Sequence, residues 1–137
     1  MRNYKIGEKN RYEITPNRYV ELRYFCMRYD ELKEELRACM DASLHSSSGA
    51  GTGAGASASV PERIAERREK YARNVELIEK AASLACGEDK GVVPFLMYSV
   101  TKGAAYERVP MIPPCGRRVF YEKYRRAFFY HLDKLKG

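Results

Sequence analysis

The sequence predicts an all-α protein, in which a long antiparallel helical hairpin precedes a helix-turn-helix-like C-terminal unit. Three observations lead to this prediction. Apolar residues recur every three or four positions along two long segments, a helix-starting signal precedes each segment, and an uncharged Gly/Ser/Ala stretch separates them. With 137 residues, the chain is expected to form one domain, with room for an appendage.

Segment 1–44 contains an N-terminal arm and the first long helix. Thr15 is a suitable N-cap, and Pro16 suits the first helical position. From Leu22 to Met40 the apolar residues keep the spacing of one helix face. In the first 14 residues apolar and polar side chains alternate, so a short strand or an extended arm is compatible with them.

Segment 45–58 is predicted to be a flexible linker, because it has no charged residue and no large apolar side chain. It also lacks the Lys-Ser/Thr ending of a phosphate-binding loop. Segment 59–87 is the second long helix, with Ser59 and Glu62 as its capping box. Each long helix has one apolar stripe, so the two are expected to fold back on each other as an antiparallel hairpin.

The C-terminal unit, 88–137, is predicted to contain two short helices and one long helix. The first covers 92–100, and the second covers 104–109. Three prolines then prevent helix formation until 117–136, where a single helix is expected. A short helix, a turn and a longer basic helix make the layout of a helix-turn-helix, although this turn is longer than usual.

The positive charge is concentrated near the C-terminus. The net charge is +7, and residues 109–137 carry seven positive and two negative side chains. This favours a phosphate-bearing partner at the C-terminal helix, either nucleic acid or an anionic membrane surface. No apolar run is long enough for a transmembrane helix, and the N-terminus lacks the apolar stretch of a signal peptide. We therefore expect a cytoplasmic protein.

A helical wheel divides the C-terminal helix into two sides. The side predicted to face the core contains Phe120, Tyr124, Ala127, Phe128, His131 and Leu135. The opposite side contains Arg118, Glu122, Arg125, Arg126 and Asp133, with Phe129 among them. The first turns would thus present cations outward, as a recognition helix does in a major groove.

The predicted DNA contacts are of two kinds. Four residues are predicted to contact base edges, namely Arg117, Arg118, Tyr121 and Arg125. Four others are predicted to contact phosphates, namely Lys102, Arg108, Lys123 and Arg126. Two alternatives remain open: a structural helix with a solvated basic face, and binding to a membrane surface. The membrane alternative is weaker, because the aromatic side chains are needed for the core.

No enzymatic, metal or cofactor site is predicted. The four cysteines form no C-x-x-C pair, and Cys26, Cys39 and Cys86 are interpreted as reduced core thiols. Cys115 precedes the basic helix, whose dipole would lower its pKa, so a reactive thiol is an alternative there. His131 lies on the apolar side of its helix and is interpreted as a core residue.

Three blocks of the sequence form a further pattern. The first block has Tyr-Phe-Cys at 24–26, Tyr-Asp at 29–30 and Glu-Glu at 34–35. The second is a variable linker followed by the capped, charged helix 61–85. The third is Ile-Pro-Pro-Cys-Gly-Arg-Arg at 112–118, followed by Phe120-Tyr121, Arg125-Arg126 and Phe128-Phe129. In these blocks the chain resembles the RinA/ArpU-type late transcriptional activators of phages and prophages of Gram-positive bacteria.

This resemblance implies a phage transcriptional regulator with a sigma-like C-terminal helix-turn-helix. We therefore expect a non-enzymatic DNA-binding protein in the bacterial host cell, with host RNA polymerase as a further candidate partner and a homodimer left open. The alternative is a small helical phage protein that binds or inhibits a host protein through the Arg–Tyr surfaces of its first helix. A continuous cationic stripe along 117–126 would favour DNA, and dispersed charge with an exposed apolar patch would favour a protein partner.

Overall fold

The structure of the protein, a computed structural model, describes residues 14–48 and 59–137. Every regular element in these ranges is helical, which confirms the predicted all-α class. The chain divides into two compact units, one containing the described residues up to Tyr29 together with Leu77–Gly137, and the other containing Asp30–Glu76. The arm predicted before residue 14 and most of the predicted linker lie outside the described residues.

The first long helix is present as two helices, α1 (Pro16–Met27) and α2 (Tyr29–Ser48). Thr15 caps α1 as predicted, because its hydroxyl accepts a hydrogen bond from the Arg18 backbone N–H at 3.3 Å. The two helices are separated at Arg28, whose N–H donates to the carbonyl of Phe25 in a tight turn. No glycine or proline marks this turn in the sequence. At its other end α2 reaches Ser48, so 45–48 are helical and not coil as predicted.

The second long helix, α3 (Ser59–Cys86), is found where the sequence predicts it. It stops at Gly87, which has the left-handed φ of +57° expected of a residue that follows a helix. In the unit Asp30–Glu76, Leu32 and Val75 are buried apolar residues. The antiparallel hairpin of α2 and α3 stays a prediction.

The helix α4 (Val93–Lys102) follows a single 3-10 turn, Lys90–Val92, and has a proline in its first turn as predicted. It ends at Gly103, whose φ is +64°. A side chain at this position would lie 3.2 Å from the side chain of Met27, so α1 and α4 pack closely here.

The helix predicted over 104–109 is only the 3-10 turn Tyr106–Arg108, which corrects the expected helix-turn-helix layout. Val109 has an extended backbone with ψ of 121°, as expected of a residue that precedes a proline. Pro110 therefore prevents this turn from continuing as a helix.

The C-terminal helix covers 117–136 as predicted, but its middle is not α-helical. Arg117–Val119 and Arg126–Lys136 are α-helical, whereas Phe120–Arg125 is a π-helical segment. A π-turn contains more residues than an α-turn, so it rotates every following side chain about the helix axis. The side chains that are buried after this segment are therefore not those that regular α-helical spacing predicts.

The shifted register corrects the predicted core side of the C-terminal helix. Phe129, predicted among the polar residues, is buried, and so is Leu132. His131 and Leu135, predicted to face the core, are only half-buried. The predictions for Phe120, Tyr124, Ala127 and Phe128 are confirmed, since all four are buried.

Aromatic rings pack α1, α4 and the C-terminal helix together. The ring centroids of Phe95 and Phe120 lie 5.1 Å apart in an edge-to-face arrangement, and Tyr106 lies within 6 Å of both. On the other side of the C-terminal helix, Tyr19 of α1 meets Phe129 edge to face at 5.0 Å. These contacts fix where the C-terminal helix lies in its unit.

The register shift is testable by comparing two truncations in the C-terminal helix. Phe129→Ala is expected to lower the free energy of unfolding by about 3–5 kcal/mol, because a buried ring leaves a cavity. Leu135→Ala is expected to cost about 1 kcal/mol, because this side chain is partly exposed. Urea denaturation of the two variants measures both costs. A larger cost for Leu135→Ala would indicate a regular α-helix without the shift.

Candidate nucleic-acid interface

Three arginines near the start of the C-terminal helix are exposed, and we call Arg108, Arg117 and Arg118 the arginine surface. Arg118 is more exposed than Arg117, with 86% of its side chain accessible to solvent against 62%. The 3-10 turn, the loop after it and the helix hold these residues in place. The backbone N–H of Tyr106 donates to the hydroxyl of Tyr121 at 2.9 Å, and the Tyr106 hydroxyl donates to the carbonyl of Cys115 at 2.7 Å.

Two members of the arginine surface form exposed ion pairs. Arg117 Nε lies 2.6 Å from Glu107 Oε2, and Arg118 Nε lies 3.2 Å from Glu122 Oε2. Exposed ion pairs typically contribute only about 0–1 kcal/mol, so a phosphate oxygen can replace the carboxylate at little cost. In the part of the chain that the structure describes, the Arg108 side chain makes no hydrogen bond or ion pair, and only its backbone N–H donates, to the carbonyl of Ala105. These three guanidinium groups are thus available to an anionic partner.

Tyr121 has a structural position, and its predicted role at base edges stays a prediction. It is half-buried, and its hydroxyl accepts the hydrogen bond from Tyr106. Its ring lies below the guanidinium of Arg117, with 5.0 Å between Cζ and the ring centroid. Tyr121 therefore positions Arg117 and the loop before the helix.

Arg125 is turned towards the core and does not face outward as predicted. Its Nη1 donates to the hydroxyl of Tyr19 at 2.6 Å. Its guanidinium carbon lies 5.0 Å from the ring centroid of Phe129, 5.7 Å from that of Tyr121 and 5.8 Å from that of Tyr19. The side-chain Nε is buried without a hydrogen-bond partner. We call Arg125 and these three aromatic residues the arginine–aromatic cluster.

A second polar contact joins α1 to the C-terminal helix. Arg18 Nε donates to Asp133 Oδ1 at 2.7 Å, and this hydrogen bond is the main reason that the pKa of Arg18 is raised. Asp133 was predicted on the outward side, but it is half-buried against α1. Arg18 also pairs with Glu21 in its own helix. The first helix thus holds the C-terminal helix through both Arg18 and Tyr19.

The predicted phosphate contacts do not form one stripe. Lys123 lies 3.8 Å from Asp89 Oδ2 and over the ring of Tyr124, whose hydrogen-bonding hydroxyl is the main cause of the raised pKa of this lysine. Arg126 is half-buried, and Lys102 lies exposed at the end of α4. Because Arg125 also turns inward, the cations of 117–126 do not form the continuous stripe that would favour DNA, and Arg117 and Arg118 are its exposed remainder.

The cysteines are free thiols, and burial lowers the acidity of three of them. It raises the pKa of Cys26 to about 12 and that of Cys86 to about 11. It also raises the pKa of Cys115, which corrects the expectation that the helix dipole would lower it. The described residues contain no group of three His, Cys, Asp or Glu side chains that could hold a metal ion.

Comparison with known proteins adds no relative to this description. No protein-family model, no curated protein and no solved structure matches the chain. The resemblance to phage regulators therefore stays a prediction. Among 14–48 and 59–137, no helix combines the length and the apolar character needed to cross a bilayer.

The sequence contained a signal for the arginine–aromatic cluster. Phe129 fell among charged residues on the wheel of a regular helix, and Tyr19 stood beside arginines in α1. A large ring on a charged face indicates that the assumed register is wrong. Without the π-helical segment, however, nothing in the spacing pointed to Arg125 as the partner of both rings.

Two arginines of the C-terminal helix should respond differently to removal. Arg125→Ala is expected to lower the free energy of unfolding by about 2–3 kcal/mol, because it loses a charged hydrogen bond and its ring contacts. Arg118→Ala should change it by less than about 0.5 kcal/mol, because that side chain is exposed. Urea denaturation measures both. An equal loss of unfolding free energy in the two variants would show that Arg125 lies outside the arginine–aromatic cluster.

Thiol alkylation should follow burial in the native protein. Cys26 and Cys86 are expected to react slowly with iodoacetamide at pH 8, because burial shields both sulfurs and their raised pKa values keep the thiolate fraction small. Cys39, which is half-buried, serves as the internal reference. Peptide mass spectrometry after timed quenching measures each rate, and Cys26 reacting as fast as Cys39 would contradict its burial.

Proposed function

We propose that the protein is a non-enzymatic DNA-binding regulator of phage or prophage transcription that contacts DNA through the arginine surface. The observation that supports this proposal best is the contrast between two sets of arginines. Arg18 and Arg125 bind half-buried or buried partners on other helices, whereas Arg108, Arg117 and Arg118 extend into solvent around the start of one helix. DNA is the polyanion that such a set of exposed guanidinium groups fits.

The start of the C-terminal helix suits the major groove. Arg118 is in its first turn, where the residues of a recognition helix reach base edges. Its guanidinium can donate two hydrogen bonds to O6 and N7 of guanine. Glu122 follows one turn later and can accept a hydrogen bond from N4 of cytosine. In this proposal Arg118 reads bases, while Arg108 and Arg117 bind phosphates.

The ion pairs with Glu107 and Glu122 make the surface sensitive to salt and sequence. On binding, Arg117 would exchange the carboxylate of Glu107 for a phosphate oxygen, which leaves Glu107 near the negatively charged backbone. Such a carboxylate opposes binding wherever no cation or base donor faces it. We therefore expect moderate affinity that decreases steeply with added salt.

The proposal is tested by removing single charges from the arginine surface. Arg108→Ala is expected to weaken binding on every duplex and to reduce the salt slope by about 1. Arg118→Ala is expected to cost about 1–3 kcal/mol on the preferred duplex and to relax the preference at one base pair. Fluorescence anisotropy with the DNA upstream of the protein's own gene and with a scrambled duplex, at two salt concentrations, measures both effects.

Arg68→Ala on α3 is the matched control, because it removes an exposed arginine outside the arginine surface. It should bind both duplexes as the wild type does. The proposal fails if the wild type binds neither duplex at low salt, or if the Arg68 variant loses as much affinity as the Arg108 variant.

The interrupted cationic stripe along 117–126, together with an exposed apolar stripe on α1, favours a second function, binding to a host protein such as RNA polymerase. Val20, Tyr24 and Met27 follow one another at spacings of four and three, and all are exposed, with Tyr24 at 65%. Such a stripe is typical of protein-binding helices. Tyr24→Asp should abolish association with purified RNA polymerase if this function is correct, and leave DNA binding unchanged.

A further inference from the structure

A proline-rich loop beside the arginine surface presents the most exposed of the large apolar side chains described. This loop, Pro-Met-Ile-Pro-Pro at 110–114, is exposed at all five positions. Ile112 is 91% exposed, and Met111 is also exposed. We call this segment the proline loop.

The proline loop is held at both ends. Before it, Val109 is buried in the core, and its carbonyl accepts a hydrogen bond from the Met111 N–H at 2.8 Å. After it, the carbonyl of Cys115 accepts the hydrogen bond from the Tyr106 hydroxyl. Three prolines fix φ within the loop, and Ile112 precedes one of them, which restricts its own backbone. Ile112 therefore loses little conformational freedom when a partner covers it.

The neighbours of the proline loop indicate the kind of partner. Arg108 lies two residues before it, and Arg117 and Arg118 follow three and four residues after it. Val119, in the same first turn as Arg118, is also exposed. The exposed apolar side chains of this region thus have positively charged arginines as neighbours in the chain. This combination fits a polyanion that also offers an apolar group, and the thymine methyl in the major groove is such a group.

We propose that Ile112 is a specificity-determining residue that contacts the C5-methyl group of thymine in the major groove. This inference rests on the proposed DNA binding and adds the base that the protein prefers beside the arginine surface. The proline loop directly precedes the C-terminal helix in the chain. When the first turn of that helix enters the groove, the loop is therefore brought to the same groove. Burying the exposed isoleucine against a methyl group removes apolar surface of both from water.

Replacement of thymine by deoxyuridine tests this contact, because it deletes only the methyl group. The preferred duplex is first selected from a random-sequence library with the wild-type protein. The wild type is then expected to bind the thymine duplex about fourfold more tightly than its deoxyuridine counterpart, as expected for one buried methyl group. Ile112→Ala should bind both duplexes with equal affinity, while circular dichroism confirms that it is folded.

Met40→Ala is the matched control, since Met40 is an exposed apolar residue on α2. It should keep the fourfold preference. If the wild type binds both duplexes equally, or if Ile112→Ala keeps the preference, the inference about Ile112 is overturned and DNA binding itself stands. If the wild type binds no duplex at all, both the inference and the proposed function fail. The exposed Ile112 would then be assigned to binding a protein partner.

Discussion

The position of the C-terminal helix depends on one cation placed among aromatic rings. Arg125 donates to the Tyr19 hydroxyl and lies against the rings of Tyr19, Tyr121 and Phe129. A guanidinium group tolerates such a site because it is weakly hydrated and stacks on aromatic faces. The contact requires that Arg125 and Phe129 both face α1, and the π-helical segment, which ends at Arg125, supplies that register. The helix, the segment and α1 are therefore mutually dependent.

This arrangement divides the basic residues into two groups. Arg18 and Arg125 contribute to the fold, because they bind Asp133 and Tyr19 across helices. Arg108, Arg117 and Arg118 contribute little to it, because their side chains are exposed and at most paired with exposed carboxylates. A net positive charge of the whole chain thus says little about DNA binding until the structural arginines are set apart. The arginine surface is what remains for a partner.

The sequence predicted the all-α class and the start or end of several helices, because caps and breakers act locally. Thr15, Gly87 and Pro110 each constrain only their own turn of the chain, and each does so as predicted. The sequence did not predict the inward turn of Arg125 or the burial of Phe129. Both depend on a π-helical register that is stabilised by Tyr19, a residue more than a hundred positions away in the chain. A wheel with regular α-helical spacing cannot represent that dependence.

The central claim is that DNA meets the arginine surface and the proline loop, while the arginine–aromatic cluster stays inside. Titration of the isotope-labelled protein with its upstream duplex at low salt, followed by NMR, tests it most directly. We predict that the amide signals of Arg108, Ile112 and Arg118 shift strongly, and that those of Tyr19 and Arg125 shift little. Shifts confined to α1 around Tyr24, or no shifts at a protein-to-duplex ratio of one, would contradict the account.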